Sequence, residues 1–376
     1  MEDNLKVLFI INRLTRVAPI MVTYNIIKYM LKNDFEPVIL TLFSELEDSA
    51  VLLFEELNIP IVKLNIKKSG FNFIQIATLL KKYVKKINPE IIHVQLFSAT
   101  FFTQMFLSNY PLLTTIHCDY DEDFKMCYGK IKGWIISRIY DYLLSKIPYR
   151  YACSKQLSIL LNNKKNFNIS YIDNGIDIKK FYPTTEKNLL RKTLKLPEDK
   201  NIFIWSALHL PRKNPFVLTQ IISKIKNDNI FFVICGGGPL EEEIKKELKN
   251  CTNVKLTGNV KNINEYLRAS NYYISTSLSE GLPLSVLEGM ASGLPVILSN
   301  IPQHKILFEQ GYEIGLTFEP QNAEQLFNCI FNILKKDNRV LQNNCIKLIS
   351  ENYTAQIMSK KYQEEYRKIL RAKNNA

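Results

Sequence analysis

The stretch Tyr272-Tyr-Ile-Ser275-Thr-Ser277-Leu-Ser-Glu280-Gly-Leu-Pro283-Leu-Ser-Val-Leu-Glu288-Gly-Met-Ala-Ser-Gly293-Leu-Pro-Val296-Ile-Leu298 decides how this chain is read. It opens with an apolar strand, Tyr272 to Ser275. Gly281 and Pro283 make a sharp turn, and Pro283 suits the first turn of a helix, where its missing N–H costs nothing. The helix runs to about Ser292 and stops at Gly293-Leu-Pro295. A second buried strand, Val296 to Leu298, follows. The unit therefore puts a helix N-terminus, with its free N–H groups, beside the carboxyl end of a strand, a place that favours phosphate. Glu280 sits at the strand's end and Glu288 more than one turn inside the helix. Two carboxylates bracketing an anion site suit a sugar at each end of a diphosphate, as in a nucleotide-sugar.

Outward from this unit the same alternation repeats. Strand-like runs fall at Val7–Ile11, Pro37–Leu42, Ile61–Leu64, Ile91–Val94, Leu112–Ile116 and Tyr149–Cys153. Helical periodicity fills the gaps, as at Ile20–Leu31, Phe73–Val84 and Trp134–Leu144. A turn-rich segment, Ile172-Asp-Asn-Gly-Ile-Asp177, marks a change of composition. Strands resume at Ile202–Trp205, Phe231–Cys235, Val254–Leu256, Tyr272–Ser275, Val296–Leu298 and Ile314–Phe318. Short unbroken apolar strands separated by helices predict parallel sheets covered on both faces. The expectation is an α/β protein of two doubly wound domains, residues 1–180 and 185–350. A final helix, 353–372, is available to pack back onto the first. Ligands of such sheets bind beyond the carboxyl ends of the strands.

Length and composition agree. The 376 residues are 46% hydrophobic and 23% charged, enough for two domains with their own cores. The most apolar long run, Ile131 to Ile147, is broken by Lys132, Arg138, Asp141 and Lys146, too polar to span a bilayer. The acidic start leads straight into a strand, which predicts no signal peptide. Seven dispersed cysteines without a C-x-x-C pair suggest reduced thiols and a cytoplasmic protein. The net charge of +13 is spread over both halves and favours anionic partners: nucleotide phosphates, nucleic acid or an anionic membrane surface. Lys81, Lys82, Lys85 and Lys86 end one amphipathic helix. They read either as a solvated C-terminus favourable to the helix dipole or as a contact for lipid headgroups.

In this order the pieces resemble retaining glycosyltransferases of the GT-B fold, glycosyltransferase family 4. Five segments carry the resemblance: Ile10-Ile-Asn-Arg-Leu-Thr-Arg16; Thr115-Ile-His117; Ile172–Asp177 with Phe181-Tyr-Pro183; Cys235-Gly-Gly-Gly-Pro239; and Ser277–Pro295 with its E-x7-E spacing. The last is strong by itself. The resemblance implies two Rossmann-like domains facing across a cleft, the donor held mainly by the second and the acceptor by the first. It implies transfer of a hexose or N-acetylhexosamine from a nucleotide diphosphate sugar, most simply a UDP-sugar, with no cofactor and no metal. The acceptor would be a glycan, polyprenyl-linked, in capsule, O-antigen or related polysaccharide synthesis at the inner face of a bacterial inner membrane.

Residue by residue, Glu288 inherits the grip on the ribose hydroxyls and Glu280 faces the donor sugar. The backbone of Gly281, Leu282, Pro283, Leu284 and Ser285 approaches the diphosphate. Lys213, with Arg212 beside it, neutralises the departing diphosphate. His117 hydrogen-bonds the sugar near the acceptor. Gly236, Gly237, Gly238 and Pro239 let the chain pass close to the base or make a tight turn, and no dinucleotide G-x-G-x-x-G is present. Arg13, Arg16 and Asn174 belong to the acceptor or phosphate side, Asn174 being equally a turn residue. His93 reads as structural, as do His209 and His304.

Two family features are missing. A Gly-Gly pair commonly follows the first strand, where this chain has Arg16-Val-Ala-Pro19. An arginine shortly before the lysine would fall at Ala207 or Leu208. These departures keep a non-catalytic nucleotide-sugar sensor in view. A nucleotide-sugar 2-epimerase shares the architecture, but its usual histidine and acidic residues are not evident. A nucleic-acid binder has only net charge in its favour.

Overall fold

The computed structural model describes residues 4–46, 49–67 and 73–374. Among these, β1 (Leu5–Ile11), β2 (Phe35–Phe43), β3 (Ile61–Ile66), β4 (Ile91–Gln95), β5 (Leu112–Ile116), β6 (Tyr149–Ala152) and β7 (Ser170–Tyr171) form a seven-stranded sheet of order β3-β2-β1-β4-β5-β6-β7. Next come β8 (Asn201–Ser206), β9 (Ile230–Cys235), β10 (Val254–Gly258), β11 (Tyr272–Ser275), β12 (Val296–Ser299) and β13 (Gly315–Phe318). They form a six-stranded sheet of order β10-β9-β8-β11-β12-β13. The neighbours pair in parallel, for example Phe9 with Ile39 on one side and with His93 on the other. Helices between the strands cover the sheets, so the central strands are apolar on both faces: Val7 through Ile11 are all fully buried.

The contacts divide the chain into two compact units, Met1–Gly175 with Ala355–Ala376, and Ile176–Thr354. Each sheet reverses its winding once, between β1 and β4 in the first unit and between β8 and β11 in the second. At such a reversal the loops leaving two neighbouring strands diverge and leave a crevice. The core of the second unit lies around Phe203, Phe232, Tyr272 and Trp205. Phe203 and Tyr272 stack with ring centroids 4.7 Å apart across β8 and β11, which locks those two strands side by side.

The last helix, Ala355–Asn374, belongs to the first unit. Its buried Tyr366 hydroxyl lies 2.7 Å from His93 Nδ1, and Tyr362 bonds the Thr115 hydroxyl at 2.8 Å. Ser359 donates to the Ile26 carbonyl at 2.7 Å. His93 Nε2 is 2.9 Å from the Thr115 hydroxyl. That histidine therefore ties strand to helix, and burial, then the neighbouring His117, lower it to about 3.

The sequence expectations differ from the structure mainly at element ends. The helix expected from Trp134 begins at Lys130, and the two-residue β7 is exposed and carries no apolar signal. Pro283 stands one place outside the helix Leu284–Ala291, as its N-cap. Its extended backbone (φ −76°, ψ 97°) ends the turn, and its carbonyl accepts from the Val286 and Leu287 N–H groups.

Candidate active site

β8 ends at Ser206 and β11 at Ser275, neighbours across the winding reversal. From β8 the chain passes through Ala207–Leu210 into a short 3-10 turn, Pro211–Lys213, before the helix Pro215–Lys224. Two bonds stitch this loop to the one leaving β11: Thr276 Oγ1 donates to the Lys213 carbonyl at 2.7 Å, and Leu278 N–H to the Arg212 carbonyl at 2.8 Å. The stitching brings three charged side chains together. Lys213 Nζ bonds Glu280 Oε1, and Arg212 Nη1 lies 3.4 Å from Glu280 Oε2. Ser277 Oγ donates to Glu280 Oε1 at 2.6 Å.

Glu280 is buried, and burial alone would raise its carboxyl. The charges of Lys213 and Arg212 and the bonds from Lys213 and Ser277 outweigh that and hold it at about 2. Burial pushes the Lys213 ammonium down, against the pull of Glu280. Sequence reasoning assigned Lys213 to the diphosphate and Glu280 to the sugar; the structure joins them as mutual partners. It also gives Arg212 the second cationic position near Glu280, while Leu208 is exposed.

A supporting chain runs behind this cluster, unseen in the sequence. Ser299, at the end of β12, donates to the Ser277 carbonyl at 2.6 Å. His304 Nδ1 donates to the Ser299 carbonyl at 2.8 Å and lies 3.1 Å from its hydroxyl. Burial lowers His304 to about 4, with Glu280 pulling the other way. It is a neutral brace for the segment that carries Glu280. The only sequence signal for it is the spacing of Ser277, three residues before Glu280.

The helix N-terminus lies just downstream. The N–H groups of Leu284 and Ser285 precede the first intrahelical bond, that of Val286, and have no partner among the described residues. Glu288 is half-buried in the second turn, and no described residue hydrogen-bonds or ion-pairs with its carboxylate. Burial, partly opposed by Lys180, raises it to about 7. Gly281, Leu282 and Pro283 form the buried turn between the two glutamates.

The glycine loop after β9 is shaped by the chain beside it. Gly236 (φ +126°) would put a Cβ 1.9 Å from the Ala207 carbonyl oxygen, and Gly238 (φ +147°) one 2.9 Å from the His209 oxygen. His209 N–H bonds the Gly237 carbonyl at 2.9 Å, and Leu240 N–H the His209 carbonyl at 3.1 Å. Pro239 follows before the helix Glu241–Glu247. The close approach that demands glycine is thus to residues 207–209. A cavity of about 260 Å³ beside the loop is bordered by His209, Gly236, Glu241, Lys245, Thr257 and Gly258. His209 is buried, both its ring nitrogens lack a hydrogen-bond partner among the described residues, and burial lowers its pKa. Sequence reasoning read this residue as structural. Among the described residues no group of three or more His, Cys, Asp or Glu side chains is placed to hold a metal ion.

In the first unit His117 closes β5, half-buried, with Nε2 2.9 Å from Gln95 Oε1 at the end of β4. Burial lowers it to about 3, so its imidazole is neutral. Leu96, next to Gln95, holds φ +71°, an unusual strain for a branched residue at the head of a helix. Arg13 lies with its guanidinium 5.9 Å from the Phe43 ring centroid, and Arg16 is exposed. Val17 caps the helix Ala18–Lys28 in an extended conformation (φ −108°). Asn174 is buried; its N–H donates to the Cys153 carbonyl, and its side-chain oxygen has no hydrogen-bond partner among the described residues.

Two family models match the chain in tandem, Glycosyltransferase Family 4 over residues 21–180 and Glycosyl transferases group 1 over 186–349. A UDP-Gal:alpha-D-GlcNAc-diphosphoundecaprenol alpha-1,3-galactosyltransferase of Escherichia coli is 31% identical over 187 residues, 47% of this chain and 48% of that one. That match spans about half the length of the relative. The O-antigen biosynthesis glycosyltransferase WclY of Escherichia coli is 26% identical over 383 residues, 98% of this chain and 99% of that one. Among solved structures, Anabaena HepE in complex with UDP-glucose superposes with a TM-score of 0.80 at 17% identity, covering 96% of this chain and 99% of that one. With the two family segments in that order on two doubly wound sheets, the chain belongs to the GT-B glycosyltransferases.

Proposed function

We propose that the protein is a retaining glycosyltransferase. It moves a hexose or N-acetylhexosamine from a UDP-sugar to a polyprenyl-linked glycan, at a membrane surface, in the assembly of an O-antigen or related surface polysaccharide. One observation carries the reading: the Lys213–Glu280–Arg212 cluster at the β8/β11 reversal, followed by the open N–H groups of Leu284 and Ser285 and the unpartnered Glu288. The diphosphate lies against those N–H groups and Lys213. Glu288 accepts from both ribose hydroxyls, a charge-assisted pair of bonds. The base enters the cavity beside Gly236, where His209 offers a donor and an acceptor.

A bound diphosphate competes for Lys213, so Glu280 releases it and turns to the hydroxyls of the donor sugar. The bond from the anomeric carbon to the phosphate oxygen breaks, and the diphosphate leaves with the electron pair. The acceptor oxygen bonds the same face of the sugar and passes its proton to the departing phosphate. Lys213 and Arg212 stabilise the charge that grows on the leaving group, the largest contribution of this site to rate. With two fixed cations there, activity should survive a chelator. His117, neutral through the physiological range, hydrogen-bonds a sugar hydroxyl. The names of the relatives, a UDP-galactose transferase to a diphosphoundecaprenol glycan and an O-antigen transferase, support the donor and acceptor classes.

The test mixes purified protein with UDP-glucose, UDP-galactose and their N-acetylamino counterparts, with and without undecaprenyl-diphosphate-linked GlcNAc. UDP release that requires acceptor, with an α-configured product by NMR, is the expected result. Donor turnover without acceptor would mean an epimerase. Donor binding without turnover across an acceptor panel would mean a sensor.

A further inference from the structure

The helices Tyr120–Tyr128 and Lys130–Lys146, between β5 and β6, are held to the first sheet from their inner side. Lys165, almost wholly buried, bonds Asp121 at 2.7 Å and Asp141 at 2.9 Å, and the Tyr120 hydroxyl donates to Asp141 at 2.6 Å. Gly133 lets the two helices touch: a Cβ there would stand 2.5 Å from the Phe124 carbonyl oxygen. Tyr140, Leu143 and Leu144 fill the core. The inner face is therefore complete, and the outer face is free to do something else.

That outer face is unlike a solvated surface. Ile131 is 78% exposed, Trp134 56%, Ile135 46% and Tyr142 65%, with Ile139 also open. Their spacing places them on one stripe of the helix. Met126 and Tyr128 on the preceding helix are exposed as well. The other exposed side chains of Lys130–Lys146 are Lys130, Lys132, Arg138, Ser145 and Lys146. Its one acidic residue, Asp141, is turned inward and engaged by Lys165, Tyr120 and Arg138. The surface thus combines a large apolar stripe, a tryptophan and a tyrosine, and lysines, with no exposed carboxylate on that helix. Among the described residues no helix is long and apolar enough to cross a membrane.

We propose that this face seats the protein on an anionic phospholipid surface. Ile131, Trp134, Ile135 and Tyr142 enter the boundary between headgroups and acyl chains, and Lys130, Lys132 and Lys146 meet the lipid phosphates. Tryptophan and tyrosine suit that boundary because one end of each ring system is apolar and the other polar. Lysine stems lie along apolar surface while their ammonium groups reach anions. Charge selects this occupant over a second copy of the chain, which would set lysines against lysines in a protein of net charge +13. The Lys81–Lys86 cluster has the charge, but the open apolar residues of its helix, Phe73 and Ile74, lie at the other end. The proposal deepens the reading of a polyprenyl-linked acceptor, for it gives the enzyme a foothold where such an acceptor lies, yet it rests on this helix alone.

The experiment uses the full chain and vesicles of phosphatidylglycerol with phosphatidylethanolamine, against vesicles of phosphatidylcholine. The protein should sediment with the anionic vesicles, less so at high salt. Trp205 is buried and the chain has one other tryptophan, so a blue shift of emission on binding reports Trp134. The double change I131S/I135S should weaken vesicle binding by about tenfold or more, and K130E/K132E/K146E should remove the preference for anionic lipid. Both variants should keep the wild-type melting temperature and UDP affinity. No sedimentation with anionic vesicles would overturn the proposal. So would binding that survives both variants, or a stripe that instead mediates concentration-dependent self-association. If vesicle binding follows the stripe while no UDP-sugar is turned over, the proposed reaction fails and the membrane seat stands.

Discussion

Glu280 and Glu288 lie on one strand–turn–helix unit and meet opposite environments. Glu280 is surrounded: two cations and a serine hydroxyl hold its carboxylate ionised at about 2. Glu288 has no hydrogen-bond or ion-pair partner among the described residues, and burial, partly opposed by Lys180, raises its carboxyl to about 7. One site is satisfied before any ligand arrives, whereas the other is left unsatisfied. The first arrangement stabilises the fold and must open for chemistry. The second costs stability and is relieved when donors such as ribose hydroxyls arrive, as expected of a binding residue.

The largest expected effect breaks the closed side. Glu280→Gln leaves the ammonium of Lys213 buried without its counter-charge. Urea denaturation should show a loss of about 3–5 kcal/mol, and initial rates a fall of about 10²–10³ in kcat. The folded carboxyl titrates below the ordinary value of 4.5, so its stabilisation is present above that pH and disappears as pH falls toward about 2. The variant should lack that acid slope. Replacing the pair with Lys213→Met and Glu280→Leu should recover much of the stability and none of the activity. Recovery of both would make the pair merely structural.

The open side predicts a smaller effect of opposite sign. Glu288 titrates above 4.5 in the folded protein, so between about 4.5 and 7 the folded state holds a proton the unfolded state has lost. Stability therefore falls as pH rises through that window. Glu288→Gln should remove this penalty and stabilise the ligand-free protein at pH 8 by about 1–2 kcal/mol. In the same variant calorimetry should find UDP bound roughly tenfold to a hundredfold more weakly. Wild-type affinity should drop on acidification from pH 8 to 6, when the carboxylate loses its acceptor charge, and the variant should be flat. Unchanged UDP affinity would remove Glu288 from the donor site.

The smallest effect tests the brace. Ser277→Ala deletes one hydrogen bond to Glu280 and should cost about 1 kcal/mol, with kcat lowered and UDP affinity unchanged. A change in UDP affinity without a change in kcat would move Ser277 to the Glu288 side of the comparison.

The two doubly wound sheets were legible in the sequence because parallel strands buried on both faces read as short apolar runs, and the order of runs and helices leaves few topologies. β7 was not, since two exposed residues carry no hydrophobic signal. Glu280, Glu288 and Lys213 were singled out through spacing and resemblance, and the place of Glu288 on the helix follows from local pattern. The meeting of Lys213 with Glu280 was not, because 67 residues separate them and only the β8/β11 pairing and two loop bonds close that gap. Ser299 was missed for the same reason; His304 was read as structural without its link to Ser299, and the unpartnered burial of His209 was not legible because it is a property of its surroundings.

By itself the sequence determined the class of fold, the strand–turn–helix that carries the two glutamates, and the family, since these depend on periodicity and near neighbours. Only the tertiary structure decided which of the two carboxylates is paired and which waits, that Tyr362 and Tyr366 are the side chains by which the last helix meets the first sheet, and that an apolar stripe with lysines faces outward from Ile131 to Tyr142. Charge state and exposure are set by what else lies within a few ångströms. In a parallel sheet those neighbours come from strands far apart along the chain.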